Sequence, residues 1–148
     1  MDDAPLEDRR GDIVVSTDRS RIDPDAALLL LRTTHWAGGI NRETLVRAIA
    51  NSVCFGMYRA GELIGFGRAI SDLATYAYWT DVVIAPDYRG RGLGRWLSDC
   101  MLAHPEMQGL RRVALLTRDA AELYSRIGFS EGPGSLIYME RKSPGTSS

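Results

Sequence analysis

The chain has 148 residues, 45% of them hydrophobic and 25% charged, which suits one domain with a buried core. A formal net charge of -1 at pH 7 excludes the strong positive field typical of nucleic-acid-binding domains, so we expect no nucleic-acid partner. The longest apolar run, around Ala26–Leu31, is too short to cross a bilayer, and we expect no membrane partner. We therefore predict a single domain over residues 1–148, with flexible ends at 1–11 and 142–148.

The cysteines and the first residues bear on the cellular compartment. Cys54 and Cys100 each lie in a segment with an apolar pattern, which favours reduced core thiols over a disulfide. The first twelve residues, MDDAPLEDRRGD, are charged and lack the apolar stretch of a secretory signal peptide. We predict a cytoplasmic protein. No cluster of Cys or His has the spacing of a metal site, so we expect no metal.

The first third of the chain predicts one strand and two helices. The short β-branched run Ile13–Ser16 indicates a strand. Asp23 followed by Pro24 is typical of a helix N-terminus, with the aspartate as N-cap and the proline at the first helical position. The segment Ala37–Gly39 ends this helix, and Asn41 caps a second one.

The pattern then changes to the period of two that strands have. Val53–Tyr58 and Glu62–Ile70 flank the turn at residues 59–61 and predict a β-hairpin. A long β-branched and aromatic strand follows over residues 75–86, and Pro86 ends it because proline cannot donate to a sheet ladder.

The last third predicts helices and strands in alternation. A helix over Leu93–Ala103 ends at His104 and Pro105, and an apolar strand follows at 111–117. Asp119 is the predicted N-cap and Gly128 the predicted C-cap of a further helix. Leu136–Arg141 is predicted as the last strand. The order β-α-α-β-β-β-α-β-α-β indicates a mixed α/β sheet with helices packed on it.

A loop rich in glycine and arginine joins the long strand to the helix at Leu93. Unpaired N–H groups in the first turn of a helix attract anions, and glycines let a phosphate approach the backbone. The alternatives fit less well. A nucleoside triphosphate loop requires a lysine that is absent, and in a dinucleotide fingerprint the third glycine would come one residue later. An RNA-binding Arg-Gly segment would be longer and repeated, and a tight turn would need the glycines only for geometry.

The loop, with the strands before and after it, resembles the GNAT superfamily of acetyl-CoA-dependent N-acetyltransferases. Arg89, Gly92 and Gly94 match the family's Gln/Arg-x-x-Gly-x-Gly/Ala loop, and an apolar strand and the segment LYSRIGF follow in the family's order. The resemblance extends from about Val53 to Phe129. It implies a mostly antiparallel central sheet, splayed between its fourth and fifth strands and flanked by helices.

The resemblance also implies how acetyl-CoA binds as co-substrate. The pantetheine arm would pair with the backbone of the fourth strand at Val82, Val83 and Ile84, where an N–H group would polarise the thioester carbonyl. Thr117 stands where many members carry a cofactor-contacting asparagine. The pyrophosphate would lie on the loop that follows the fourth strand, formed by Arg89, Gly90, Arg91, Gly92, Leu93, Gly94 and Arg95.

Two residues are candidates for catalysis. In the family the general acid is a tyrosine four residues before a glycine, which corresponds to Tyr124; its other interpretation is a core aromatic. Asp81 lies within an apolar strand, where an unpaired carboxylate would be costly. It is interpreted either as a carboxylate that orients the amine or relays its proton, or as the salt-bridge partner of an arginine such as Arg68.

The predicted function is acetyl transfer from acetyl-CoA to a primary amine of a small molecule or peptide by direct attack. The alternative hypothesis is an acetyl-CoA-binding sensor or structural module without turnover. Tyr76, Tyr78 and Trp79 are interpreted as acceptor-pocket, core or homodimer-face residues, and His35 and Trp36 follow the first helix where related proteins shape the acceptor pocket.

Overall fold

The structure is a computed structural model that describes residues 4–37 and 39–144. The chain divides after Leu116 into two compact units. The first unit holds a six-stranded sheet and three α-helices, and the second holds one short α-helix within its described residues.

The strands follow one another across the sheet in chain order. Neighbouring strands are antiparallel except for the last pair, which is parallel. This arrangement confirms the predicted mixed, mostly antiparallel sheet. The strands are β1 (Glu7–Arg10), β2 (Ile13–Ser16), β3 (Val53–Arg59), β4 (Glu62–Ser71), β5 (Tyr76–Ile84) and β6 (Arg112–Leu115).

The turn between β3 and β4 has the geometry of a tight hairpin. Its two central residues, Ala60 and Gly61, have φ angles of 50° and 80°. Two-residue hairpin loops with both φ angles positive match the right-handed twist of the strands they join. The predicted hairpin is therefore confirmed.

Two helices cover one face of the sheet, and both begin where the sequence predicts. In α1 (Pro24–Leu31) the Asp23 carboxylate accepts from the Asp25 N–H, and in α2 (Arg42–Ala50) the Asn41 side chain accepts from the Thr44 N–H. The core on this face contains the helix residues Ala27, Leu28, Leu30, Leu31, Leu45 and Ile49, with Cys54, Phe66 and Val83 from the strands. None of the helices in the described ranges is long and apolar enough to cross a membrane.

The third helix, α3 (Leu93–Ala103), packs against β3, β4 and β5. Its residues Trp96, Leu97 and Met101 are buried. A Cβ atom at Gly67 would lie 3.0 Å from the Met101 sulfur, so the glycine allows the helix to approach β4. Phe66, one residue earlier, belongs to the core under α1 and α2. Because successive strand residues point to opposite faces, α3 covers the other face of the sheet.

The first strand was not predicted. Residues 1–11 were expected to be flexible, but Glu7–Arg10 form β1 at the edge of the sheet, and residues 1–3 lie outside the described part. Asp8 Oδ2 accepts a hydrogen bond of 2.7 Å from Trp96 Nε1. The Arg10 guanidinium lies 4.8 Å from the centre of the Trp96 ring. This polar strand is therefore held both by its backbone hydrogen bonds with β2 and by side-chain contacts with α3.

The second unit differs from the prediction at two places. Helix α4 (Ala121–Ser125) has Ala120 at its N-cap position, not Asp119. The predicted last strand is wrong, because Leu136–Arg141 forms no strand, and no other described residue of this unit is in one. Residues 142–144 also have no helix or strand, and residues 145–148 lie outside the described part.

The end of α4 agrees with the prediction for Gly128. Its φ angle is 103°, in the region that favours glycine. The Phe129 N–H donates to the Tyr124 carbonyl over 3.0 Å, and the Gly128 N–H donates to the Ser125 carbonyl over 3.3 Å. This pair of bonds is the Schellman motif, which satisfies the last carbonyls of a helix.

His104 gives the first unit a pH-dependent stability that can be measured. Its Nδ1 accepts from the Glu106 N–H over 3.0 Å, and its ring lies edge-on to Phe55. Burial lowers the pKa of His104 from its ordinary 6.5, so protonation favours the unfolded chain. The contribution of neutral His104 is complete above about pH 6.5 and is lost as the pH falls through the lowered pKa.

We expect His104→Asn to flatten this dependence, because asparagine can still accept at the cap but does not titrate there. Urea denaturation at about pH 8 and about pH 5 measures the free energy of unfolding of both proteins. The wild type should lose more of it on acidification than the variant does. Equal losses in the two proteins would show that His104 does not carry the effect.

Candidate functional site

One edge of β5 is only partly paired. On one side β5 pairs with β4 from Ala77 to Ile84, with one irregularity. On the other side β6 pairs with Tyr76–Trp79 alone, so no described strand continues the ladder from Thr80 to Ile84. This is the splay predicted between the fourth and fifth strands, which are β5 and β6 once β1 is counted. The open edge offers backbone N–H and C=O groups to an extended ligand.

The irregularity between β4 and β5 is a β-bulge at Asp81. Phe66 pairs with Val83 and Arg68 pairs with Thr80, so two β5 residues, Asp81 and Val82, lie opposite Gly67 alone. Asp81 has a φ angle of 57°, in the left-handed region. That region costs most residues with a side chain about 1–2 kcal/mol, although aspartate enters it more readily than most. Contacts around Asp81 must therefore hold the backbone in this shape.

A buried ion pair holds the Asp81 side chain. Arg68 Nε lies 2.7 Å from Asp81 Oδ2, and the two side chains are 13% and 6% exposed. Arg68 Nη1 also donates to Ser52 Oγ over 3.1 Å, and that hydroxyl donates to the Ala48 carbonyl at the end of α2. The salt bridge between Asp81 and Arg68, one of the two interpretations of Asp81 from the sequence, is present. A catalytic role for Asp81 stays a prediction.

Cys54 lies beside this ion pair and does not add a nucleophile. It pairs with Arg68 across β3 and β4 and is 1% exposed. Burial raises the pKa of the Cys54 thiol to about 12. The thiol is therefore protonated near neutral pH, and a protonated thiol is a poor nucleophile. Cys54 is a free core thiol as predicted, whereas the free thiol of Cys100 is half-buried.

The glycine loop leads from β5 to an uncapped helix N-terminus. After a 3-10 turn at Pro86–Tyr88, Gly90 and Gly92 both have φ angles of 77°. A Cβ atom at either glycine would meet nothing within 4 Å. Glycine is therefore favoured here by the positive φ angle of the backbone and not by a lack of space for a side chain. No side chain caps α3 at Gly92. The N–H groups at its start are therefore available to an anion, as the sequence predicted.

The three arginines of the loop have different surroundings. Arg89 Nε donates to the Ile84 carbonyl over 2.9 Å, and its Nη2 donates to Thr33 Oγ1 over 3.3 Å. The Arg91 guanidinium lies 5.0 Å from the centre of the Tyr88 ring. Arg95 pairs with Asp99 one turn along α3. Sequence reasoning missed the contact of Arg89 with Thr33, because nothing in the spacing links residues so far apart.

Two predicted site residues lie in the second unit. Thr117 Oγ1 accepts from the Ala120 N–H over 3.0 Å and so forms a turn just before α4, which has no side-chain cap of its own. Tyr124 lies in α4, half-buried, with its ring edge-on to Phe129 at 5.7 Å between centroids. The roles of Thr117 in cofactor binding and of Tyr124 as general acid stay predictions.

The segment after α1 is polar and exposed. The hydroxyls of Thr33 and Thr34 donate to the last carbonyls of α1, at Leu30 and Leu31. The rings of His35 and Trp36 meet edge to face at 5.1 Å, and both residues are exposed. Among the β5 aromatics, Trp79 is a core residue, Tyr78 is half-buried and Tyr76 is exposed.

Comparisons with known proteins agree with this geometry. The profile of the acetyltransferase (GNAT) domain matches residues 50–131, which include the hairpin, β5, the glycine loop and α4. A protein of Gibberella zeae named as an acetyltransferase is 36% identical over 140 residues, covering 79% of this chain and 78% of that one.

Solved structures share the fold. A protein of Xanthomonas campestris pv. campestris, described as a GNAT-family acetyltransferase, is 44% identical with a TM-score of 0.82, covering 93% of this chain and 97% of that one. A Clostridium acetobutylicum protein solved with acetyl-CoA is 14% identical with a TM-score of 0.64, covering 86% and 94%, and shows likeness of fold alone. By its profile, its relatives and its fold, this chain belongs to the GNAT family of acetyltransferases.

Proposed function

We propose that the protein transfers the acetyl group of acetyl-CoA to a primary amine of a small molecule or peptide. The observation that carries the proposal is the continuity of an open strand edge, at Thr80–Ile84, with a glycine loop and an uncapped helix N-terminus. Such a surface suits a ligand that is extended at one end and carries a pyrophosphate at the other. Acetyl-CoA has this form, and the Clostridium acetobutylicum protein of the same fold was solved with it.

The chain offers two sets of groups to acetyl-CoA. The backbone of Val82, Val83 and Ile84 would pair with the pantetheine arm, and a free N–H on this edge would polarise the thioester carbonyl. The pyrophosphate would lie on the loop N–H groups and the start of α3. All three loop arginines are exposed. Arg91 and Arg95 would add charge beside the pyrophosphate, whereas Arg89 is hydrogen-bonded to the Ile84 carbonyl and to Thr33.

The proposed reaction is a direct acyl transfer. The nitrogen lone pair of a neutral amine attacks the thioester carbon, the C–S bond breaks, and the coenzyme A thiolate leaves with the electron pair. The ammonium formed on the acceptor loses a proton, and the thiolate gains one. Tyr124 is proposed to donate that proton, since a phenol of pKa about 10 can hydrogen-bond the thiolate as charge develops.

Thiol release distinguishes this function from an acetyl-CoA-binding module without turnover. The purified protein is incubated with acetyl-CoA and a panel of amines that contains polyamines, aminoglycosides, amino acids and peptides. Acetyl transfer predicts free coenzyme A in proportion to an acetylated amine identified by mass spectrometry. Tight binding of acetyl-CoA with no amine acetylated would favour the sensor.

The role of the loop is tested by Gly92→Ala. A Cβ atom in the open space above this residue would keep a pyrophosphate away from the N–H groups. We expect acetyl-CoA affinity to fall by about 2–4 kcal/mol, the worth of one or two charge-assisted hydrogen bonds. Titration calorimetry measures the change.

Gly109→Ala is the matched control. Gly109 has a φ angle of 75° and open space around its Cβ position, as Gly92 does, but it lies before β6 and outside the loop. Both variants should lose about 1–2 kcal/mol of stability through the left-handed backbone. Only Gly92→Ala should lose affinity; an equal effect on affinity in both variants would contradict the phosphate role.

The role of Tyr124 is tested by Tyr124→Phe. The variant keeps the ring that packs edge-on against Phe129, so the protein should stay folded and acetyl-CoA affinity should barely change. We expect kcat to fall by about 10- to 10³-fold, which spans the loss of a hydrogen bond and the loss of general-acid catalysis. Tyr138→Phe, at an exposed tyrosine of the same unit, is the control and should keep wild-type kcat. A folded Tyr124→Phe enzyme with undiminished kcat would make Tyr124 a packing residue only.

A further inference from the structure

We propose that Arg68 is a positioning residue for acetyl transfer, which acts by holding Asp81 and with it the bulge on the open edge of β5. This inference rests on the proposed function, because the edge it shapes is the one assigned to the acyl donor. Arg68 itself lies on β4 and is not assigned a contact with acetyl-CoA or the acceptor.

The position of Arg68 links three elements at the bulge. Its side chain joins Asp81 on β5 to Ser52, the second residue after the end of α2. Ser52 is in turn fixed to the Ala48 carbonyl of α2 and is 7% exposed. A guanidinium is planar with donors in a fixed fork, so two partners in different directions define its orientation. Arg68 is thus held from α2 and in turn holds Asp81.

Asp81 transmits this constraint to the backbone. A bulge leaves one residue out of the ladder and turns its N–H and C=O groups away from the regular direction. Here the bulge residues Asp81 and Val82 lie just beyond Trp79, the last β5 residue that pairs with β6. The peptide between Asp81 and Val82 is therefore set by a left-handed residue whose side chain Arg68 anchors. Without the anchor, β5 can relax towards a regular strand.

A lysine cannot replace the arginine at this position. Lysine carries a point charge that could still neutralise Asp81, but it lacks the fixed fork that reaches Asp81 and Ser52 together. Arg68→Lys should therefore still neutralise most of the Asp81 charge but no longer hold the Asp81 side chain in a fixed direction. This separates positioning from mere neutralisation of a buried carboxylate.

The first test compares Arg68→Lys with Arg21→Lys. Arg21 is paired with Glu7 over 2.9 Å, away from the bulge, and so controls for the loss of an arginine ion pair. We expect Arg68→Lys to lower kcat by about 10²-fold, the effect of a small misplacement of reacting groups. Its Kd for coenzyme A should change less than kcat does, because the loop assigned to the pyrophosphate is untouched and only the pairing edge is disturbed. Arg21→Lys should keep wild-type kcat. Wild-type kcat in folded Arg68→Lys would overturn the proposal.

A second test removes both charges. Arg68→Met leaves Asp81 buried without its partner and should lower the melting temperature. Combining it with Asp81→Asn removes the unpaired charge and should restore much of that loss. Positioning predicts that amide exchange at Val82 and Val83 stays fast in the double variant although stability returns. Recovery of wild-type exchange together with stability would reduce the pair to a structural salt bridge.

A readout without catalysis separates this inference from the proposed function. Amide hydrogen exchange at Val82 and Val83 reports the bulge directly, whether or not an acceptor amine is known. Arg68→Lys should speed exchange at these amides relative to wild type, and Arg21→Lys should not. Unchanged exchange overturns the inference even if the enzyme acetylates amines. If Arg68→Lys speeds exchange but the protein acetylates no amine of the panel, Arg68 still anchors the bulge. The claim that this anchoring positions groups for acetyl transfer is then refuted.

Discussion

The buried ion pair between Arg68 and Asp81 lies where β4 and β5 change register, and the rest of the site depends on that change. Two charges out of water are tolerated only together, since removing one partner of a buried pair typically costs about 3–5 kcal/mol. The pair therefore ties a side chain on β4 to a backbone shape on β5. The direction of the peptide groups on the open edge follows from it.

The two faces of the sheet contribute differently to the site. The face under α1 and α2 carries the ion pair and its anchor at Ser52. The opposite face carries α3, whose first turn follows the glycine loop directly. Gly67 belongs to this opposite face and lies across from the bulge, where it makes room for the Met101 sulfur. Helix packing and strand irregularity thus meet at one residue, which allows the last turn of α3 to approach β4, while the glycine loop joins the first turn of α3 to the end of β5.

The features that the sequence predicted well depend only on residues close to one another in the chain. Asp23 and Asn41 cap their helices because an N-cap needs only its own side chain and the next turn. The bulge was not predictable, since burial alternates without a break from Tyr76 to Ile84 and hides the extra residue. Asp119 was a wrong N-cap because α4 begins one residue later than predicted, and its N-cap residue, Ala120, has no side chain that can accept a hydrogen bond.

Elements that depend on distant partners were the least predictable. The β1 segment EDRR has no apolar residue, and its contacts with Trp96 join residues far apart in the chain. The apolar run Leu136–Met139 suggested a strand, but a strand forms only when another completes its ladder. The salt-bridge interpretation of Asp81 succeeded because a buried carboxylate demands a cation, and Arg68 lay on the neighbouring predicted strand.

The bulge has a further consequence, for solubility. An open strand edge of regular geometry is a template on which another chain can add a strand, and proteins commonly blunt such edges. The unpaired stretch of β5 is five residues long, from Thr80 to Ile84, and the left-handed Asp81 interrupts it after the first. Only Val83 and Ile84 remain beyond the bulge residues Asp81 and Val82. An edge so short and interrupted by a bulge is a poor template for edge-to-edge pairing, yet its peptide groups remain open to a small extended ligand.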